Sequence, residues 1–180
     1  MARSVKIALP NPSLVVLCGP AGAGKSTFAQ RHLRRTQIIS SDRCRAMVGD
    51  NPADLSLTKD AFDLLYYLAH KRLKLRRLTA IDSTALARHR RARLLAIARE
   101  HRVPAILIVF DVDAETCRLR NAERRRRVPD AAIRAHERLL RATLQTVSAE
   151  GFDQLYILQP STPVTVEIQP APATVSQPSP

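Results

Sequence analysis

The sequence contains no tryptophan, and aromatic residues make up only 4% of its 180 residues. Because hydrophobic residues still account for 45%, we expect one domain with an aliphatic core. No apolar run approaches the roughly 18–20 residues of a membrane helix. Lys6, Pro10 and Pro12 also interrupt the apolar residues that a signal peptide would need. These absences predict a protein that does not associate with membranes.

Cysteine is scarce, and its positions exclude the common cysteine frameworks. Cys18, Cys44 and Cys117 lie far apart, without a C-x-x-C motif and without the close Cys and His spacing of a metal site. A sparse, odd number of cysteines is typical of a reducing intracellular environment. We therefore expect a cytoplasmic protein, while the oligomeric state stays open.

Acidic residues are few relative to basic ones, with 16 Asp and Glu against 29 Lys and Arg and a formal net charge of +13. This surplus of positive charge predicts an anionic partner, of which nucleic acid is an example. A basic surface can also be a general solubility feature of proteins from an arginine-rich genome. The charge by itself leaves both interpretations open.

Glycine is scarce as well, yet three of the five glycines fall within one eight-residue segment. The segment matches G-x-x-x-x-G-K-[ST], the phosphate-binding loop (P-loop) of nucleotide-binding proteins, and it lies between an apolar run at 14–18 and a predicted helix. Its backbone N–H groups would hold an anion, Lys25 would reach the β- and γ-phosphates, and Ser26 would bind Mg²⁺. The candidate residues for ATP, or another NTP, are Gly19, Pro20, Ala21, Gly22, Ala23, Gly24, Lys25, Ser26 and Thr27.

Predicted strands alternate with predicted helices along the chain, and several strands are unbroken apolar runs. This pattern predicts an α/β protein of the P-loop NTPase fold, with a parallel sheet between helices and an arginine-rich helical lid. The expected strands are 14–18, 37–40, 78–81, 105–110 and 155–158. The expected helices are 25–35, 42–48, 59–75, 85–101, 114–126 and 131–149.

The two ends of the chain differ in composition from the middle. We predict a kinase domain over 1–159 with its core at 13–159, and an irregular leader over 1–13. Half of the twelve prolines lie between 160 and 180, so we expect a proline-rich, largely disordered tail there. Residues 164–168 are also compatible with a short edge strand.

Two carboxylates follow the second and third predicted strands, at the sheet edge where ligands bind in open parallel sheets. Asp42 and Asp82 should therefore lie close to the phosphates. A carboxylate there can accept a proton from an attacking hydroxyl. Arg45, three residues after Asp42, would orient Asp42 or bind a substrate phosphate. The alternative for both carboxylates is a cap or turn before a helix.

A third cluster of candidate residues is a run of arginines after the fourth strand. Phosphoryl transfer needs positive charge on the γ-phosphoryl oxygens, and a helical lid would supply it. Arg120 and Arg124 are four residues apart and are expected to share a helix face. The neighbouring members are Arg118, Arg125, Arg126 and Arg127, and we expect the last three to lie on the surface.

Two predicted helices carry many further basic residues, which either line a nucleic-acid path or form solvated helix faces. Few aromatic residues lie among them for base stacking, and Tyr66 and Tyr67 are the nearest. The basic residues are Lys71, Arg72, Lys74, Arg76, Arg77, Arg88, Arg90, Arg91 and Arg93.

Several segments together resemble the polynucleotide 5′-hydroxyl kinase domain of bacterial polynucleotide kinase-phosphatase. The resemblance covers about residues 13 to 159, and its most specific part is Ser-Ser-Asp-Arg-Cys-Arg at 40–45. The other matching segments are 13–17, 22–29, 82–84, 120–124, 151–152 and 156–158.

The resemblance implies transfer of the γ-phosphate of ATP, or another NTP, to a 5′-OH end of RNA or DNA. It implies that Asp42 is the general base, that Arg45 contacts the acceptor, and that Asp82 supports this arginine. Arg120 and Arg124 match lid arginines on the donor phosphates, and Lys25 and Ser26 match the phosphate and magnesium residues. The family's chain continues into phosphatase and ligase-like modules, so we expect a stand-alone kinase or separate phosphatase or ligase partners.

Two other functions use the same residues. A small-molecule kinase of this fold, acting on a metabolite or antibiotic hydroxyl, would need the same P-loop, aspartate and lid. A non-catalytic nucleotide-binding module would need the P-loop alone, and Asp42 would then be a helix cap.

Overall fold

The computed structural model describes residues 4–124 and 127–170. Its main sheet has five strands in the order β3-β4-β2-β5-β6, and every neighbouring pair is parallel. The predicted α/β fold class is confirmed. The strands are β1 (Val5–Pro10), β2 (Leu14–Cys18), β3 (Ile38–Ser40), β4 (Thr79–Asp82), β5 (Ala105–Phe110), β6 (Gln154–Leu158) and β7 (Val164–Gln169).

Helices cover both faces of the main sheet, as the central strand shows. All five residues of β2 are buried, and alternate side chains enter two different cores. Val15 packs in the core that includes α1 and α5, whereas Val16 packs in the core that includes α3 and α4. The helices are α1 (Lys25–His32), α2 (Ser41–Gly49), α3 (Thr58–Lys74), α4 (Arg88–Glu100), α5 (Ala114–Ala122) and α6 (Asp130–Thr146), with 3-10 turns at Arg35–Gln37, Leu55–Leu57 and Val147–Ala149.

The N-terminal segment and part of the predicted tail form a second, two-stranded sheet. β1 pairs in parallel with β7, and the side chains of Ile7 and Leu9 in β1 are fully buried. The expectation of an irregular leader was therefore wrong for β1, because this segment pairs with β7 and buries its alternating apolar residues Ile7 and Leu9. The edge strand considered at 164–168 is confirmed as β7, which includes Gln169 of the predicted disordered tail. Residues 171–180 of that tail lie outside the described residues.

The helix predicted as a lid, α5, is shorter than expected. α5 ends at Ala122, not near residue 126, because the Asn121 side chain turns the chain back. Its amide nitrogen donates to the Val128 carbonyl oxygen at 2.8 Å, and its oxygen accepts from the Val128 N–H at 2.9 Å. Arg124 therefore lies in a loop after the helix and does not share a helix face with Arg120.

One residue of the predicted basic surface is a core residue. The Arg91 side chain is 1% exposed and forms two hydrogen bonds to Glu150, of 2.6 and 2.8 Å. It also donates to the carbonyl oxygens of Ala85 and Leu86 at 2.7 and 2.9 Å. Arg91 thus joins α4 and the loop after β4 to the segment before β6, and it is excluded from a nucleic-acid path.

Replacing Glu150 with alanine should lower the free energy of unfolding by about 3–5 kcal/mol, because the buried guanidinium loses its counter-charge. Urea unfolding followed by circular dichroism measures the change. The matched control is Glu137→Ala, which breaks an exposed pair with Arg141 and should cost less than about 1 kcal/mol. Equal losses for the two variants would contradict this role of the Arg91–Glu150 pair.

Candidate functional site

The phosphate-binding loop connects β2 to α1 and depends on glycine at two positions. Gly22 and Gly24 have φ angles of 89° and 98°, in the left-handed region that favours glycine. A Cβ atom at Gly22 would lie 2.9 Å from the Cys117 carbonyl oxygen. Gly24 is also the residue that precedes the first turn of α1. The loop therefore lies tightly against α5 and presents the N-terminus of α1, which suits an anion.

Lys25 is buried inside this loop. Its ammonium donates to the carbonyl oxygens of Gly19 and Pro20 at 2.9 and 2.7 Å. Burial lowers the pKa of Lys25 to about 8, the negative charge of Asp82 opposes this shift, and the positive charge of Arg124 adds to it. The Lys25 ammonium is therefore partly desolvated and held inside the loop by two carbonyl oxygens.

Ser26 and Asp82 form the second part of the site. The Ser26 hydroxyl donates to Asp82 Oδ2 at 2.7 Å, and this bond joins α1 to the end of β4. Burial raises the pKa of Asp82, whereas the Ser26 hydrogen bond and Lys25 lower it. Two oxygen donors at this separation fit Mg²⁺, which prefers oxygen ligands.

Asp42 and Arg45 form a pair on α2, at the same edge of the sheet. Arg45 Nη1 donates to Asp42 Oδ1 at 2.7 Å and to the Pro52 carbonyl oxygen at 3.0 Å. The Arg45 side chain is 6% exposed and that of Asp42 is 59% exposed. The helix cap is Ser40, whose hydroxyl accepts from the Arg43 N–H, so Asp42 does not serve as the N-cap.

The structure places Asp42 and Asp82 near each other but gives them different partners. The charge of Asp42 contributes to the raised pKa of Asp82, after the larger effect of burial. The resemblance implied that Asp82 supports Arg45. In the described contacts Asp82 instead accepts from Ser26, and Asp42 is the carboxylate that holds Arg45.

The two arginines predicted for the lid differ in their relation to the phosphate-binding loop. Arg120 Nη1 donates to the carbonyl oxygens of Gly22 and Ala23 at 3.5 and 3.3 Å. Arg124 is exposed, and its charge acts on both Lys25 and Asp82. Arg118 instead pairs with Asp130, Arg127 is exposed, and Arg125 and Arg126 lie outside the described residues.

Sequence reasoning missed one residue at the loop. The N–H of Ala21 donates to His136 Nδ1 on α6 at 3.3 Å, so this imidazole is neutral with its proton on Nε2. Burial lowers the pKa of His136, and the charge of Lys25 lowers it further. No local motif marks His136, since α6 reaches the loop only in the folded chain.

A cavity of about 380 Å³ lies beside α1, next to the phosphate-binding loop. Thr27, Arg31 and Arg120 line one side of it. Sequence reasoning missed the opposite side of the cavity, because several of the residues that line it lie in the segment that was predicted to be a disordered tail. These lining residues are Leu158, Gln159, Pro160, Thr162, Pro163 and Val164.

The remaining basic residues divide into three groups. Arg72 donates to the Leu78 carbonyl oxygen at 2.9 Å, and Arg76 donates to the His101 carbonyl oxygen at 3.1 Å, so both make contacts within the fold. Arg90 and Arg93 stack on aromatic rings of α3, at 4.0 Å from the Phe62 centroid and 4.1 Å from the Tyr66 centroid. The third group, which is exposed, consists of Lys71, Lys74, Arg77 and Arg88.

A glycine loop with a buried lysine, at the carboxyl edge of a parallel sheet covered on both faces, defines a nucleotide-binding P-loop protein with a kinase-like fold. Residues 14–149 match a family model described as an AAA domain, and the chain belongs to this family. No curated protein sequence matches the chain significantly.

Three solved structures illustrate the range of proteins with this fold. A chain of the Pnkp1/Rnl/Hen1 RNA repair complex is 24% identical with a TM-score of 0.65, over 75% of this chain and 46% of that one. This chain therefore spans less than half of that relative. The Mycobacterium tuberculosis APS kinase CysC, in complex with AMPPNP and APS, is 14% identical with a TM-score of 0.54, over 84% of this chain and 90% of that one. A gluconokinase from Sinorhizobium meliloti 1021 is 16% identical with a TM-score of 0.52, over 86% of both chains.

The part of the chain that the structure describes has no helix long and apolar enough to cross a membrane.

Proposed function

We propose that this protein is a polynucleotide kinase that transfers the γ-phosphate of ATP to the 5′-OH end of RNA or DNA. The observation that carries the proposal is the exposed Asp42 carboxylate, held by buried Arg45 at the edge of the sheet where the phosphate-binding loop lies. A carboxylate in this position can accept the proton of an attacking hydroxyl.

The proposed reaction is a displacement at the γ-phosphorus. The 5′-oxygen forms a bond to the γ-phosphorus while its proton passes to Asp42. The bond between the γ-phosphorus and the β–γ bridging oxygen breaks, and ADP leaves. Lys25 would stabilise the charge on the phosphates, and Arg120, which contacts the loop, and Arg124 would add further positive charge.

The donor nucleotide would be held by the loop and the cavity beside it. Ser26 and Asp82 are the residues that would hold Mg²⁺, which neutralises phosphate charge when bound. The 380 Å³ cavity, with Thr27 and Arg120 on its loop side, has a suitable size and position for the nucleoside.

Charge and resemblance support a polynucleotide as the acceptor. The net charge is +13, and Arg90 and Arg93 hold their guanidinium groups on the rings of Phe62 and Tyr66 in α3, which packs against α2. The 40–45 segment resembles polynucleotide kinases, and the fold is similar to a chain of an RNA repair complex. In this proposal the protein acts alone or with separate phosphatase or ligase partners.

The direct test uses ATP labelled at the γ-phosphate, Mg²⁺, and matched oligonucleotides that end in 5′-OH or 5′-phosphate. Label should move only onto the 5′-OH oligonucleotide. Oligonucleotide affinity should fall steeply with salt, because basic side chains neutralise phosphates. A chain that binds ATP but labels neither RNA nor DNA would contradict the proposal.

That contrary result would favour a small-molecule kinase. The APS kinase and gluconokinase structures match this chain over 84% and 86% of its length, and each is covered over most of its own length. A screen of metabolite hydroxyls for label transfer from ATP would then identify the acceptor class.

ATP binding should take up close to one proton at about pH 9 and none through Lys25 at about pH 6. Burial lowers the pKa of Lys25 to about 8, so the free lysine is largely neutral at the higher pH. Bound phosphates raise this pKa again and the lysine recaptures its proton. Calorimetry in two buffers of different ionisation enthalpy measures the uptake. Equal uptake at both pH values would contradict the role of Lys25.

A further inference from the structure

Three side chains of metal-ligating type meet at the C-terminal ends of α3 and α4, and the proposed reaction does not use them. His70 Nδ1 lies 3.0 Å from His101 Nε2 and 3.6 Å from Glu100 Oε1. All three donor atoms lie within 4.8 Å of one another. The two imidazole rings meet edge to face, with centroids 5.2 Å apart and an angle of 69° between their planes.

We propose that His70, Glu100 and His101 form a binding site for a divalent transition-metal ion, with Zn²⁺ as the preferred cation. Tetrahedral zinc with ligand distances near 2.0–2.1 Å places neighbouring donor atoms about 3.3 Å apart. The two separations from His70, 3.0 and 3.6 Å, lie on either side of this value. Two imidazole nitrogens and one carboxylate oxygen are a donor set that zinc accepts, with water in the fourth position.

The helix ends around this cluster favour a cation. α4 ends at Glu100, and His101 is the next residue, whereas His70 lies one turn before the end of α3. The C-terminal ends of both helices carry the negative end of the helix dipole. Arg76 opposes a cation at this position, and its guanidinium donates to the carbonyl oxygens of His101 and Arg102.

The cluster lies away from the nucleotide site. α3 and α4 each lead into the amino end of a strand, β4 and β5 respectively, whereas the phosphate-binding loop follows the carboxyl end of β2. A metal ion at the cluster would therefore join α3 to α4 without contacting phosphate. Its loss should affect metal affinity and stability, so this proposal can fail independently of the proposed kinase reaction.

The test is a calorimetric titration of the full chain with Zn²⁺ in excess Mg²⁺, which occupies oxygen-rich sites. We expect one equivalent of tight zinc binding, and His70→Ala or His101→Ala should each weaken it by at least about tenfold. The control is His89→Ala, which removes an exposed histidine of α4 outside the cluster and should leave the affinity unchanged. Zinc should also raise the melting temperature of the parent and of His89→Ala, because it binds only the folded state.

Absence of zinc binding in the parent would overturn the proposal, and so would equal affinity in the double variant His70→Ala/His101→Ala. Circular dichroism checks that each variant is folded. Should an alanine variant fail to fold, His70→Gln and His101→Gln retain the side-chain volume and remove the imidazole ligands, and the same loss of affinity is expected.

Discussion

Replacing Asp42 with asparagine should lower the kcat of phosphoryl transfer by about 10²–10⁴-fold, the usual contribution of general-base catalysis. Asparagine keeps the size of the side chain and can still accept a hydrogen bond from Arg45, but it cannot take up the acceptor proton. Because Asp42 is not the cap of α2, the helix should persist. Binding of ATP should change little, since Lys25 and Ser26 supply the donor contacts.

The measurement is steady-state transfer of label to a 5′-OH oligonucleotide, together with ATP binding by calorimetry. The matched control is Asp60→Asn, which changes an exposed aspartate in the first turn of α3. Equal kcat values for Asp42→Asn and the parent would remove Asp42 as the base. Absence of label transfer by the parent, with ATP still bound, would instead favour the hypothesis that the protein is a non-catalytic nucleotide-binding module.

Replacing Lys25 with methionine should lower transfer by at least about 10³-fold, because the γ-phosphoryl group loses a preorganised positive charge in a buried site. Methionine nearly fills the volume of the lysine stem, so the loop should keep its shape. The melting temperature of the nucleotide-free variant should be no lower than that of the parent. The physical reason is that burial already disfavours the charged lysine, as its lowered pKa of about 8 shows.

Label transfer and thermal unfolding of the same preparation measure the two effects. Lys59→Met is the control, since Lys59 is exposed and pairs only with Asp63 among the described ion pairs. A Lys25→Met variant that is folded and turns over at the parental rate would contradict the assignment of the phosphate-binding loop. If Lys25→Met does not fold, Lys25→Gln is tested in its place, and the same loss of rate is expected.

Most of the main sheet could be predicted from the sequence because its signals are local. The strands β2 and β5 are continuous apolar runs, and the glycine loop lies between a strand and a helix. Helix ends were less accurate. α5 ends at Ala122 because Asn121 bonds to Val128, and a side-chain bond of this kind leaves no trace in hydrophobic periodicity.

The candidate site was predicted in outline for the same reason. Asp42 follows β3 by two residues and Asp82 ends β4, and the carboxyl ends of neighbouring parallel strands lie at one edge of the sheet, next to the phosphate-binding loop. The pairing of Asp42 with Arg45 was one of the predicted alternatives, because the two residues lie three positions apart on one helix. The partner of Asp82 could not be predicted, because Ser26 reaches it only when α1 packs against β4.

The sequence by itself determined the phosphate-binding loop, the order of strands and helices, and the excess of positive charge, since each depends on neighbouring residues or on composition. The tertiary structure alone decided which charges are buried and which distant residues meet. Arg91 is a core residue only because Glu150 reaches it, and β1 is a strand because β7 pairs with it. His70 and His101 likewise face each other because α3 packs beside α4. Contacts between residues far apart in the chain depend on the whole fold, and no local pattern records them.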